Sequence, residues 1–141
     1  MNKKIGSTAN FLAALILLSF GAVYLIKTSF MSYHSDALSK DWNEVERSTQ
    51  VLILALMRAV SGGFIATSFV IMVLQWKFSS NKISWIPLVI LIAGLLVSSA
   101  IIYATLMVRI NSPGEPPTTL TIAGMALFVI GYIFNRRIVK I

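Results

Sequence analysis

The chain contains no cysteine. That absence removes a disulfide framework, a thiol redox relay and a thiolate metal site at once. The small four-helix membrane oxidoreductases that work through paired cysteines are excluded with them. Acids are nearly as scarce, with five Asp and Glu in 141 residues. They are Asp36, Asp41, Glu44, Glu46 and Glu115, and none falls inside a long apolar run. A proton-coupled small multidrug transporter depends on a carboxylate within a span, so that mechanism has no residue to use. The single histidine, His34, leaves no haem-type pair. There is no phosphate loop and no nucleophile beside a base. No catalytic residue, cofactor or metal ligand is assigned from sequence.

Charge of either sign is sparse too. Charged residues make up 12% of the chain, against about 25% in soluble domains. What fills the space is apolar: 57% of residues are hydrophobic, and the mean hydropathy is +0.82. The net charge of +7 would suggest nucleic acid if it formed a stripe with interleaved aromatics. Here the basic residues flank apolar runs, which is the pattern of membrane orientation. Nucleic acid is not an expected partner; the lipid bilayer is.

Four apolar runs can each supply the roughly 20 residues that a membrane crossing needs. They predict an all-α, polytopic four-helix bundle in one domain, residues 1–141, with spans at about 5–26, 51–75, 83–108 and 118–134. Lys3 and Lys4 ahead of an apolar run also describe a signal peptide. The run is long for that, and KTSFMSYHSD after it has no A-x-A-like site, so an uncleaved first span is expected. Pro87 falls in the first turn of the third span, and Pro116 and Pro117 suit the first positions of the fourth. The two halves show no repeat of the inverted-transporter kind.

The polar segment 27–50 is the one sizeable loop. Asp41 followed by Glu44 fits a helix start with a reciprocal cap, which would put Trp42, Val45 and Thr49 on one face. A short surface helix, or one running straight into the second span, is expected. His34 with Asp36, Asp41 and Glu44 matches no strong metal motif, and capping explains the acid pair without chemistry.

Counting basic residues sets the predicted orientation. With the N-terminus inside, Lys3, Lys4, Lys77, Lys82, Arg136, Arg137 and Lys140 fall on the cytoplasmic side. Lys27, Lys40, Arg47 and Arg109 fall outside, and Arg58 lies within a span. Both termini are therefore expected in the cytoplasm, with the protein in the inner membrane.

Arg58 is the sharpest candidate for function. It lies about 10 Å below the outer boundary by helical rise, and an arginine at mid-membrane costs about 2.5–3.5 kcal/mol. In one reading it snorkels, or pairs with Asp41, Glu44 or Glu46 to pin the loop onto the bundle. In the other it binds an anionic group such as a lipid phosphate or a carboxylate. Tyr103, Tyr24 and Thr121 reach a similar depth and would line an outward polar pocket with it. Small residues mark expected helix contacts: Gly62 and Gly63 in the second span, and Gly94-x3-Ser98 in the third.

The stretch LILALMRAVSGGFIATSF, Leu52–Phe69, resembles the Arg-x3-Gly-Gly-type helix of DoxX-like small four-helix bacterial membrane proteins. The order YHSDAL, DW, LMRAVSGG, YATLMV and a P-x2-P-P turn is similar to that of other small bacterial inner-membrane proteins. The resemblance implies a four-helix bundle in the cytoplasmic membrane and singles out Arg58, Gly62 and Gly63; it implies no activity. The leading expectation is a non-enzymatic accessory or scaffold protein that acts through helix contacts with itself or another membrane protein. The alternative is an outward-facing binding or transport protein for a lipid headgroup or small anion at Arg58. An enzyme comes third.

Overall fold

Long apolar runs with few breakers inside them become long helices. The computed structural model describes the backbone of residues 2–139 and the side chains of residues 4–138. Lys140 and the side chain of Lys3, both used in the charge count, lie outside the described residues. The elements are α1 (Asn2–Ile26), α2 (Ser32–Leu38), α3 (Arg47–Asn81), α4 (Ile86–Asn111) and α5 (Thr118–Val139), with one 3-10 turn at Trp42–Glu44. No strand occurs among the described residues. By length and composition α1, α3, α4 and α5 could each cross a membrane.

Helix ends follow local chemistry. α3 runs well past its apolar segment on both sides because no glycine or proline interrupts it there. It stops where Lys82 turns left-handed, with φ of 53°. The Lys82 ammonium folds back onto the carbonyls of Phe78 and Ser79, where a cation also suits the negative end of the helix dipole. Pro87 is buried in the first turn of α4, as its missing N–H allows. Pro116 and Pro117 lie just ahead of α5 and not in its first positions; the Thr118 N–H donates to the Pro116 carbonyl at 2.7 Å.

The segment 27–50 departs most from expectation. It contains a helix that the sequence reading did not foresee, α2, closed by Ser39 at φ of 52°. Asp41 and Glu44 do form a cap, with the Asp41 N–H donating to Glu44 Oε2 at 2.9 Å. What they cap is a single 3-10 turn, because Val45 returns to extended backbone before α3 begins. Phe30 and Val45 are buried, and Trp42 stands edge-on to Phe30 at 4.9 Å between centroids. Those apolar anchors fold the segment back over one end of the bundle.

α1 is the central helix, antiparallel to both α3 and α5; α4 packs chiefly on α5 and more loosely on α3. The apolar core gathers toward the end that holds the chain termini: Ala13, Ala14 and Leu17 of α1, Ile71 and Phe78 of α3, Ile86 and Ile90 of α4, and Phe128 of α5. Gly94 lets the Phe128 ring lie where a side chain would be. Ser98, one turn on, is buried as well. Gly62 and Gly63 differ: nothing lies within 4 Å of a Cβ built on either, so they open away from the bundle.

Candidate functional site

The loop end of the bundle carries the candidate residues. Arg58 is half-buried on α3, and both terminal nitrogens of its guanidinium are engaged with main chain. Nη1 donates to the Tyr24 carbonyl at 2.8 Å and Nη2 to the Lys27 carbonyl at 2.6 Å. Both carbonyls belong to the end of α1, where the last C=O groups of a helix lack intrahelical partners. A fixed cation at that end also meets the negative pole of the helix dipole. Arg58 therefore caps α1. Asp41, Glu44 and Glu46 are exposed, and Asp41 is engaged locally, accepting from Ser35 Oγ at 3.4 Å. With Asp36, Ser39, Lys40 and Pro113 the first two rim an open, solvent-facing dish. Among the described residues no group of three His, Cys, Asp or Glu could hold a metal.

Below the loop, α3 and α4 diverge, and the gap is a cavity of about 380 Å³. That volume lies within the range of small-molecule pockets, roughly 300–1,000 Å³. Its walls are apolar: Phe20 on α1, Val60 and Phe64 on α3, and Val97, Ile101 and Val108 on α4. Ala100 and Ala104 of α4 leave the room, and Tyr33 and His34 of α2 join Pro116 and Pro117 as the roof. Gly114 is what lets the 112–117 turn support that roof, since a Cβ there would collide with the Tyr33 carbonyl and Ala37.

The polar atoms at the cavity are few and uncharged. Tyr24 and Tyr33 are joined hydroxyl to hydroxyl. Burial, with the Tyr24 hydroxyl second, raises the Tyr33 phenol above its ordinary value, and burial lowers the His34 imidazole. Both are neutral at pH 7. His34 Nδ1 accepts the Met31 N–H at 3.2 Å. Thr105 donates to the Ile102 carbonyl at 3.0 Å. Thr121, only 4% exposed, is the exception: its Oγ1 is buried with no hydrogen-bond partner. A buried hydroxyl left in that state costs about 1–3 kcal/mol.

A second, more open apolar groove of about 350 Å³ lies between α2 and α3, lined by Ala37, Leu38, Ile53, Leu56 and Met57. Tyr24, His34 and Val60 line both spaces. They form the partition between the cavity and the outer face of the bundle.

The residues expected to cluster thus divide. Tyr24 and Thr121 meet at the cavity. Arg58 sits at the end of α1, and Tyr103, 71% exposed, is on the outside of α4. The sequence reading missed Tyr33 and His34, having taken 27–40 for solvated loop. The signal was present: His34, Ala37 and Leu38 fall at i, i+3 and i+4, which marks one face of a short helix, with Tyr33 one turn before Ala37.

The opposite end was also missed. Asn10 Nδ2 and Asn135 Nδ2 both donate to Gln75 Oε1, at 2.7 and 2.9 Å. Gln75 Nε2 continues to Ser79 Oγ at 3.3 Å. Gly131 stands against Asn10 Oδ1, and Gly6 against Asn135 Oδ1. Two Gly-x3-Asn segments, GSTAN on α1 and GYIFN on α5, are therefore packed reciprocally. Neither asparagine oxygen has an N–H or O–H partner. The glycine hydrogen in the Cβ direction points at each, a Cα–H···O contact of about 0.5–1 kcal/mol.

No family model matches this chain, and it has no match among curated proteins or solved structures.

Proposed function

We propose that this chain is a multi-pass protein of the bacterial inner membrane, both termini cytoplasmic, that binds an apolar molecule in the outward half of its bundle. The observation that carries the binding reading is the roofed apolar cavity between α1, α3, α4 and α5. Membrane residence is supported by the outer surface of the bundle, where Phe69, Leu96 and Ile110 are each more than 60% exposed. Such continuous apolar surface is not kept in water. Trp76 and Trp85 are exposed at the terminal end beside Lys77 and Lys82, as an aromatic belt on a positive inner side would be. Reporter fusions at the C-terminus that work only in the periplasm would reverse the orientation.

Arg58 gives less support to an anion site, because two of its N–H groups hold main-chain carbonyls and it lines neither apolar space. The test of the cavity is to fill it. Protein in phosphatidylcholine nanodiscs should bind dodecane above the level of empty discs, and Ala104→Phe should abolish the excess. Equal binding by parent and variant would remove the cavity from the account.

A second reading has its own support. Gly62 and Gly63 open outward on α3, and small residues let another helix approach closely. This favours an accessory protein meeting its own copy or another membrane protein there. The likeness of Leu52–Phe69 to DoxX-like proteins fits either reading. Single-molecule photobleaching in liposomes tests self-association: one bleaching step throughout would exclude it.

A further inference from the structure

Very little holds α2 to the rest of the molecule. None of its residues is buried. Among the described residues a single hydrogen bond ties it to the long helices, the hydroxyl pair of Tyr33 and Tyr24. Its other side-chain hydrogen bonds stay within its own segment. The Met31 N–H donates to His34 Nδ1, and Ser35 Oγ donates to the Lys40 carbonyl and to Asp41.

This short helix also lies between two unlike spaces. Tyr33 and His34 line the apolar cavity. Ser35, Asp36 and Ser39 line the open, solvent-facing dish. The 112–117 turn is divided in the same way, with Pro113 at the dish and Pro116 and Pro117 at the cavity. Water and apolar space are therefore one helix apart.

The firm points flank α2. Phe30 before it and Val45 after it are buried, and Arg58 holds the Lys27 carbonyl. Between those points Ser39 ends the helix in left-handed backbone, which a residue with a Cβ adopts at some cost. A segment anchored on both sides, thinly packed between them and closed by one hydrogen bond opens locally at less free energy than the bundle unfolds.

We infer that α2 is a lid between the apolar cavity and the water on the loop side, latched by the Tyr24–Tyr33 hydroxyl pair and swinging on Phe30 and Val45. This goes beyond the binding reading above: that reading concerns what the cavity holds, and the lid controls access to it from water.

The absence of native cysteine makes the test direct. Ala104→Cys puts one thiol in the cavity wall. Tyr103→Cys puts one at the same depth on the outside of α4. Each variant, in phosphatidylcholine nanodiscs, is treated with a trimethylammonium methanethiosulfonate reagent, whose charge keeps it out of lipid. The Ala104→Cys thiol should react slowly, because only the open fraction is reached. Adding Tyr33→Phe or Tyr24→Phe should speed it about three- to tenfold, the size of one net hydrogen bond. Both together should do no more than either alone, since they remove the same bond. The Tyr103→Cys rate should not change. A cavity thiol that reacts as fast as a free one in the parent background overturns the lid, because the cavity is then already open to water. A rate that ignores both tyrosines, or that rises additively with them, overturns the latch and the lid with it. Equal acceleration at Tyr103→Cys shows general loosening and overturns it too. Dodecane binding is read separately. A chain that binds dodecane while its thiol ignores the tyrosines keeps the cavity reading and loses the lid. A responsive thiol in a chain that binds no dodecane keeps the lid and loses the binding reading.

Discussion

The two ends of the bundle handle polar groups in opposite ways. At the terminal end Asn10, Gln75 and Asn135 are almost completely buried, and three helices share one acceptor, Gln75 Oε1. Glycines stand so close that the asparagine oxygens rest on their Cα hydrogens. At the loop end the helices diverge around about 380 Å³ of space, and the Thr121 hydroxyl is left buried without a partner behind its wall. If the helices sit in lipid, as proposed above, there is little hydrophobic drive between them, so close packing and interhelical hydrogen bonds would carry the association. The terminal end has both. The loop end has the α1 cap, the folded loop and a gap, so it can change its contents without disturbing what holds the helices together.

The sharpest way to break that contrast is at its centre. Gln75→Leu leaves the Asn10 and Asn135 donors buried without an acceptor, and buried unpaired groups cost about 1–3 kcal/mol each. The variant should lose about 2–4 kcal/mol in equilibrium unfolding by sodium dodecyl sulfate in mixed micelles. A loss below half a kcal/mol, the scale of many intramembrane hydrogen bonds, would mean that helix packing alone holds this end.

Arg58→Ala comes next. It removes two charge-assisted hydrogen bonds, each worth about 1.5–3 kcal/mol at best and less where water competes at the membrane surface. A global loss of about 1–3 kcal/mol is expected. The accompanying signature is local: amide exchange should accelerate at Tyr24–Lys27 and leave the region of Asn10 protected. Uniform acceleration along α1 would show that the two ends are not independent.

How much of this the sequence disclosed depends on the range of the interaction. The four long helices were legible because hydropathy is summed over a whole span: three of the expected spans each fall inside one observed helix, and the third, 83–108, begins three residues ahead of α4. Arg58 was legible as an anomaly, since a charge in an apolar run needs a partner. Its partners were not legible, because they are backbone carbonyls of another helix, and any residue supplies a carbonyl. Gln75 and Asn135 sit where spans give way to polar sequence, so they looked like ordinary boundary residues. Only the register of α1 against α3 and α5 brings them inward. The cavity was least legible of all, being defined by what α3 and α4 do not touch.

The third prediction has the opposite sign. Thr121→Val removes a hydroxyl that has no partner and replaces it with a methyl of similar size. At the terminal end, replacing a polar group destabilises; here it should stabilise the empty protein, by about 1 kcal/mol. Thermal unfolding in detergent free of apolar additives provides the comparison. Destabilisation by Thr121→Val would mean that the hydroxyl is already satisfied within the bundle, and the two ends would then be alike.

The smallest effect is on pH, and it belongs to the roof. Burial lowers the His34 imidazole below its ordinary value of 6.5, so the folded chain holds the proton less tightly than the unfolded one. Above that value both states are neutral, and stability does not depend on this group. As pH falls through 6.5 the unfolded state gains a proton that the docked α2 resists, so stability declines toward acid. The rings against His34 are Phe30 and Tyr33, and Tyr24 lines the same spaces, none of them charged; burial is the one cause of the shift, with no opposing charge to offset it. Carboxylates begin to titrate only near about 4.3, which leaves a window from 6.5 down to roughly 5 in which His34 acts alone. His34→Gln should flatten stability across that window. In the parent, amide exchange should speed up in α2 before it does near Asn10, because the roof rests on few anchors and the terminal end on many. If both ends loosen together in that window, the roof is not a separate element and the cavity opens only when the bundle does.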